Sequence, residues 1–187
     1  MAVTVRKTRL TADEYFATSP ELPYIELIDG EIVVNQPSLG HNCIALEFVA
    51  LLREWCRAER GRGEAGIPAD VQLDAYNVYA PDVWWVREDR IPSRDALRIV
   101  GPPDLAVEVR SPSTWRYDLG TKKRVYEATG LPELWLVDTQ ADTVLVYRRS
   151  SEKSATFDVE LEVGRNEQLT SPLMPGLSID LAELFDR

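Results

Sequence analysis

At 187 residues, 44% of them hydrophobic, the chain is long enough to bury one ordinary core. A formal net charge of −10, from 31 acidic and 21 basic residues, excludes a protein coated in basic surface, so a nucleic-acid partner would have to meet a local basic patch. No apolar run approaches the roughly 20 residues that cross a bilayer, and the opening MAVTVRKTRL lacks the apolar core of a signal peptide; a soluble cytoplasmic protein with no membrane partner is expected.

Taken in chain order, Thr11 and Glu14 have the spacing of a capping box, which predicts a short helix to about Ala17. Tyr24 to Asn35, YIELIDGEIVVN, places two strand-like runs around Asp29-Gly30, the dipeptide of a tight type I′ turn, and predicts an N-terminal β-hairpin. Glu26 alternates with Tyr24 and Ile28 on one side and reads as a surface ladder residue rather than an active-site acid.

Residues 36–40 read as a loop. From His41 to about Arg60 a broad apolar face predicts a long core helix. His41, the only histidine, sits at its start and could cap, hydrogen-bond or enter a site; a structural role is expected. Arg53, Arg57 and Arg60 fall on the polar side, where a solvated face is the ordinary reading and phosphate contact the alternative. Cys43 and Cys56 lie about 20 Å apart by helical rise, too far for a disulfide, and are expected as free core thiols.

RGRGEAG, 60–66, reads as a turn-rich link, and 67–79 as a strand on the alternation of Val71, Leu73 and Ala75. Pro81 introduces a strand from Asp82 to Val86, and 87–100 reads as a charged surface excursion. Leu105, Ala106, Val107 and Val109 form an apolar run suited to a strand covered on both faces. Glu108 interrupts it, and a carboxylate there must be neutral, paired or metal-bound. After Ser111-Pro112-Ser113 a helix is expected to run to Thr129 and stop at Gly130-Leu131-Pro132. Strands at Glu133–Asp138, Thr143–Tyr147 and Phe157–Val163 and a terminal cap at Ile179–Phe185 complete an α/β (α+β) chain, expected as a single domain with its core at about 24–147 and C-terminal strands and cap at 156–187.

The chemistry concentrates on Asp82 and Glu108, which neighbouring strands about 4.8 Å apart could bring to one metal ion. Asp104 lies about 13 Å from Glu108 along the same strand and cannot share that ion. Oxygen ligands alone favour magnesium or manganese, which acidifies a water and neutralises phosphodiester charge. Two cations compete to complete the site. Arg110 shares the face of Glu108 at i+2, but guanidinium cannot trade a proton. Asp118, Lys122 and Tyr126 recur every four residues on one helix face, from which Lys123 turns away. Lys122 is expected as the catalytic cation, its pKa lowered by desolvation and a neighbouring dication, although Asp118 and Lys122 could equally form a surface pair. A basic edge of Arg53, Arg57, Arg60, Arg110, Arg116 and Lys123 is expected to meet the nucleic acid.

PDLAVEVRSPS from Pro103, D-x-x-x-K-x-x-x-Y from Asp118 to Tyr126, and G-x-P-E-x-W-x-V-D from Gly130 to Asp138 together resemble the Uma2 family (formerly DUF820), described as restriction endonucleases. YIELIDGEIV, His41 and Pro81-Asp82 extend the likeness over about 24–147. The resemblance implies a PD-(D/E)XK nuclease fold with a central mixed sheet flanked by helices, Asp82 and Glu108 as metal ligands, and a lysine moved to the helix, here Lys122, since the usual position holds Arg110. The expected function is magnesium-dependent (or manganese-dependent) DNA endonuclease, with Glu26, His41, Arg110, Asp118 and Tyr126 as possible accessory residues. The alternative is a noncatalytic nucleic-acid- or protein-binding member of the fold; a two-carboxylate sugar hydrolase fits the acidic charge but not the lysine. Cutting both strands of a duplex requires two scissions, which makes a homodimer or higher homo-oligomer the expected assembly.

Overall fold

A computed structural model of the chain describes residues 9–18 and 25–186. Thr11 and Glu14 form the expected capping box: the Thr11 N–H donates to the Glu14 carboxylate at 2.8 Å, the Glu14 N–H to Thr11 Oγ1 at 3.2 Å. Helix α1 (Ala12–Thr18) follows. The hairpin is β1 (Ile25–Ile28) and β2 (Glu31–Val34), with Ile28 opposite Glu31. Its turn residues Asp29 and Gly30 have φ of 50° and 78°, and at Gly30 a Cβ would lie 2.7 Å from Arg9 Cβ, so the turn needs glycine for both angle and space. Tyr24 lies outside the described residues.

Helix α2 (Leu39–Ala58) is capped by Ser38, whose hydroxyl accepts from the His41 N–H at 3.2 Å. Its Cys43 is exposed and Cys56 half-buried, so neither is the core thiol expected, though both are free. The supposed link after α2 supplies a strand, β3 (Glu64–Gly66). The single strand expected over 67–79 divides into β4 (Val71–Gln72) and β5 (Val78–Tyr79). The cause is Asp74, whose carboxylate accepts the Tyr76 N–H at 2.7 Å and the Asn77 side chain at 2.9 Å, reversing the chain between them. Next come β6 (Val83–Val86), a 3₁₀ turn at Glu88–Arg90, β7 (Ile99–Val100) and β8 (Leu105–Val109).

The helix expected to end at about Thr129 has three parts: α3 (Trp115–Tyr117), a π turn (Asp118–Lys122) and α4 (Lys123–Thr129), closed by Gly130 at φ 92°. Then follow β9 (Glu133–Asp138), β10 (Thr143–Arg148), β11 (Val159–Gly164), β12 (Gln168–Leu169), β13 (Ile179–Asp180) and α5 (Leu181–Phe185).

A central six-stranded sheet runs β11-β10-β9-β8-β6-β3, and a five-stranded sheet runs β2-β1-β5-β4-β7. In the central sheet β8 and β9 are parallel and the other pairs antiparallel, so the helical run 115–129 is the crossover that a parallel pair requires. Alternation along the strands separates two cores. Val83, Trp85, Leu105, Val107 and Trp135 pack with Phe48 and Leu52 of α2 and with Met174, Leu181 and Leu184 near the C-terminal end. Ala106, Leu134 and Leu136 pack on the opposite face with Val125 and Tyr126 of α4 and with Ile28 and Tyr79 of the second sheet. The fold is therefore α+β, a central mixed sheet flanked by helices with an N-terminal hairpin. No helix among the described residues is long and apolar enough to cross a membrane.

Candidate active site

Glu108 is a core position by its neighbours: all five residues of β8 are buried. Strands β6 and β8 are antiparallel with Val83 opposite Val107, and carrying that register one residue further puts Asp82 opposite Glu108. Asp82 stays there because its Oδ2 accepts the Val109 N–H at 2.7 Å. The π turn and α4 then lay Lys122 and Tyr126 over the same end of the sheet. The Tyr126 hydroxyl donates to Glu108 Oε1 at 2.8 Å, and Lys122 Nζ lies 2.8 Å from that oxygen.

Lys122 is the hub. Its Nζ also donates to Glu26 Oε1 and Oε2 at 2.9 and 3.2 Å and sits 3.2 Å from Asp118 Oδ1, with the side chain 2% exposed. The surface pairing of Asp118 with Lys122 therefore does not occur, because both are buried. Glu26 is likewise no surface ladder residue: β1 is buried at every position, and Glu26 Oε1 accepts the Ala80 N–H at 2.9 Å as well as the ammonium. An acid inside the run Ile25-Glu26-Leu27-Ile28 carries the same signal that singled out Glu108. His41 also enters the site: its Nε2 lies 3.0 Å from Asp82 Oδ2, buried and without an aligned hydrogen bond.

Burial pushes Glu108 well above the ordinary carboxylate range; Lys122 opposes this, while Asp118, Glu26 and Asp82 add to it. Asp118 is pushed up to about 6, chiefly by burial, against the pull of Lys122. For Lys122, burial works against the charge, but Glu108, Glu26 and Asp118 outweigh it and hold the ammonium well above its usual range. The three carboxylates thus outweigh the desolvation half of the expected lowering; the other half, a dication beside the ammonium, belongs to the metal-bound site. Burial also lowers His41, and Asp82, with Asn42 and the Val109 backbone, more than offsets it, raising the imidazole.

Arg110 turns away from Glu108: its guanidinium pairs with both oxygens of Asp138, at 2.9 and 2.7 Å, and lies 5.3 Å from the Trp115 ring centre. The expected basic edge is not one surface. Arg53 and Arg57 belong to α2, with Arg60 just beyond it, and Arg53 donates to the Ala65 carbonyl at 2.9 Å. Arg116 and Lys123 belong to α3 and α4, across the central sheet, and Lys123 pairs with Glu160 at 3.2 Å. Sequence reasoning also missed a hydroxyl cluster where β8 ends. The Ser111 and Ser113 hydroxyls both donate to Asn35 Oδ1, at 3.0 and 3.3 Å, and Ser111 meets Thr114 Oγ1 at 2.7 Å. Ser-Pro-Ser-Thr after a buried strand was its only trace in the sequence.

Glu26, Asp82, Glu108 and Asp118 are all buried, and against them stand the ammonium of Lys122 and the imidazole of His41. This acidic surplus suits a divalent cation, and the bonds above leave Asp82 Oδ1 and Glu108 Oε2 over for one. Among the described residues no group of three or more His, Cys, Asp or Glu closes a metal cage. Two carboxylates with water and phosphate completing the shell is the arrangement magnesium accepts.

A family model described as "Uma2: Putative restriction endonuclease" matches residues 12–182. The crystal structure of a protein from Anabaena variabilis, described as a putative nuclease belonging to DUF820, has the same fold: the TM-score is 0.80 at 22% identity, covering 95% of this chain and 98% of that one. No curated protein matches the sequence.

Proposed function

The chain belongs to the Uma2 family, and from that premise we propose that it is an endonuclease hydrolysing phosphodiester bonds of DNA, with magnesium or manganese held by Asp82 and Glu108. The reading rests above all on one observation: an acid pair opposed across β6 and β8 with a buried ammonium 2.8 Å from Glu108. The ion, when bound, supplies an acidified water and neutralises charge on the phosphate. The chain's own groups do the rest. Lys122 holds positive charge beside the place where phosphate charge grows, already oriented by Glu26 and Asp118 and so at no reorganisation cost. Tyr126 fixes Glu108 through its hydroxyl, and the Val109 N–H fixes Asp82, with the His41 imidazole beside it. Glu26 and Asp118 touch Lys122 and act as positioning residues.

Asp82→Ala and Glu108→Ala are each expected to abolish magnesium-dependent or manganese-dependent cleavage of DNA, with the far-ultraviolet circular dichroism unchanged. Full cleavage by either variant sinks the assignment. A second reading, a noncatalytic member of the fold, draws on the same ammonium, which already neutralises Glu108 without an ion. Calorimetric titration with manganese separates the two, since the noncatalytic reading expects no binding that Asp82→Ala removes. Cutting both strands is served by a symmetric homodimer, which light scattering of the purified protein would read directly. A cytoplasmic location is part of the same proposal.

A further inference from the structure

Beside Asp82 and His41 opens a cavity of about 730 Å³, within the size range of ordinary small-molecule sites, roughly 300–1,000 Å³. We propose that it receives an unstacked nucleobase of the strand being cut; this rests on the nuclease reading and names the form in which that site takes its substrate.

The charges decide what the cavity can hold. Its acidic lining is Glu26, Asp70 and Asp82, and among the described residues no lysine or arginine lines it. A phosphate inside would lie against three carboxylates, with two amides and one imidazole as the only polar groups to set against them, so the sugar-phosphate chain is better placed at the Asp82 edge, beside the proposed ion. The remaining wall is largely apolar. Phe16, half-buried, offers an aromatic surface, with the Arg98 guanidinium stacked on its ring at 4.1 Å. Leu46 and Ile67 stand on the rim, 65% and 63% exposed. Apolar side chains left this open beside an acidic site gain free energy when a flat, uncharged group covers them.

Polar atoms in the lining suit the edge of a base. Asn35 Oδ1 is taken by the Ser111 and Ser113 hydroxyls, which leaves the Asn35 amide N–H groups as donors. Asn42 Oδ1 lies 3.3 Å from His41 Nδ1, which leaves its amide N–H groups over as well. Amide donors between apolar walls are how extruded bases are read, by edge hydrogen bonds and stacking. A paired base reaches such a cavity only after unstacking, at a cost of a few kcal/mol that an unpaired base avoids. The site therefore prefers single strands, or duplex with an unpaired nucleotide, over perfect duplex.

The test compares three probes on the full chain with calcium as the divalent ion: a labelled oligothymidylate, the same strand fully paired, and a strand of equal length and charge carrying tetrahydrofuran in place of nucleosides. Stacking of one base predicts that oligothymidylate binds about tenfold tighter than the baseless strand, and tighter than the duplex. Ala45→Trp fills the cavity from a half-buried position on α2 and should erase that ratio while leaving the affinity for the baseless strand unchanged. Leu46→Asp, at an exposed rim position that cannot disturb the core, should lower it in the same direction. Equal affinity for the baseless strand, tighter binding of perfect duplex, or a ratio that survives both variants overturns the proposal. The two readings fail separately: loss of the base preference with metal-dependent cleavage intact removes only the pocket, and a base preference without any cleavage removes only the nuclease reading.

Discussion

Lys122 contacts three buried carboxylates within 3.2 Å, and that convergence is what an arginine cannot reproduce: a planar fork is wider than the point at which the three acids meet. Lys122→Ala is expected to slow single-turnover cleavage about 10²-fold or more, the scale of losing one preorganised charge donor, with Lys122→Arg little better. A variant of either kind that cuts at the normal rate would remove Lys122 from the chemistry. Glu133 offers a residue-scale test of pH. It is fully buried, accepting from Trp135 Nε1 at 2.6 Å and from the Ser171 hydroxyl at 2.7 Å, and burial raises its pKa, against the pull of Ser171 and Trp135. A raised folded pKa means the group stabilises most when protonated, below the ordinary carboxylate range, and loses that contribution as pH rises through the folded value. Glu133→Gln keeps one acceptor and is neutral throughout, so thermal scans should show its advantage over wild type growing by a few degrees from acid to pH 8; a difference flat with pH would contradict this. Residue by residue, Glu108, Asp82, Lys122 and Tyr126 were legible because each breaks or repeats a simple pattern. Glu26 and His41 were legible only as possible accessory residues, since period-two alternation does not show what covers the second face of β1, and a histidine at a helix start can as well cap the helix as enter a site.

At the scale of elements, the capping box, the Asp29-Gly30 hairpin, α2, β8 and β9 follow from local signals strong enough to decide alone. The segments that were misread, β3 to β5, are two or three residues long, too short to show a period, and exist because neighbouring strands supply their partners. The π turn has no sequence signature either. It widens the helix so that Asp118 and Lys122 are buried together, while Leu119 between them stays 42% exposed. Deleting Leu119 would restore an ordinary helix and rotate the part before it by about 100° relative to α4. Because Val125 and Tyr126 anchor α4 in the core, Asp118 should be the residue that swings out. The expected outcome is a folded protein, little changed in melting temperature, with cleavage reduced to the level of Asp118→Asn. Activity equal to wild type would show that the π turn is incidental to the site.

For the whole molecule, net charge predicted that nucleic acid would meet a local patch, but the sequence could not show that the six basic residues divide between two faces of the central sheet. Nor could it show how the C-terminal segment is used. A cap was expected, and β13 and α5 are there, yet Leu169, Met174, Leu177, Ile179, Leu181 and Leu184 sit in the same core as α2 and β8. Two polar bonds join them to it, Ser171 to Glu133 and Trp55 Nε1 to the Pro175 carbonyl at 3.1 Å. Burying such a side chain is worth about 1.5–3 kcal/mol, so six of them match or exceed the roughly 5–15 kcal/mol by which folded proteins are stable. A chain ending at Gly164 would also leave Glu133 buried without its serine. It should be insoluble, or soluble without near-ultraviolet circular dichroism and without a cooperative melting transition. A chain ending at Phe185 loses, among the described residues, the Arg165–Asp186 surface pair and the bond from the Asp186 N–H to the Ala182 carbonyl at the end of α5, and should melt within a few degrees of the intact protein, since exposed pairs contribute about 0–1 kcal/mol. If the Gly164 truncation instead melts cooperatively and cuts DNA, the C-terminal segment is an appendage and the site stands on the first 164 residues alone.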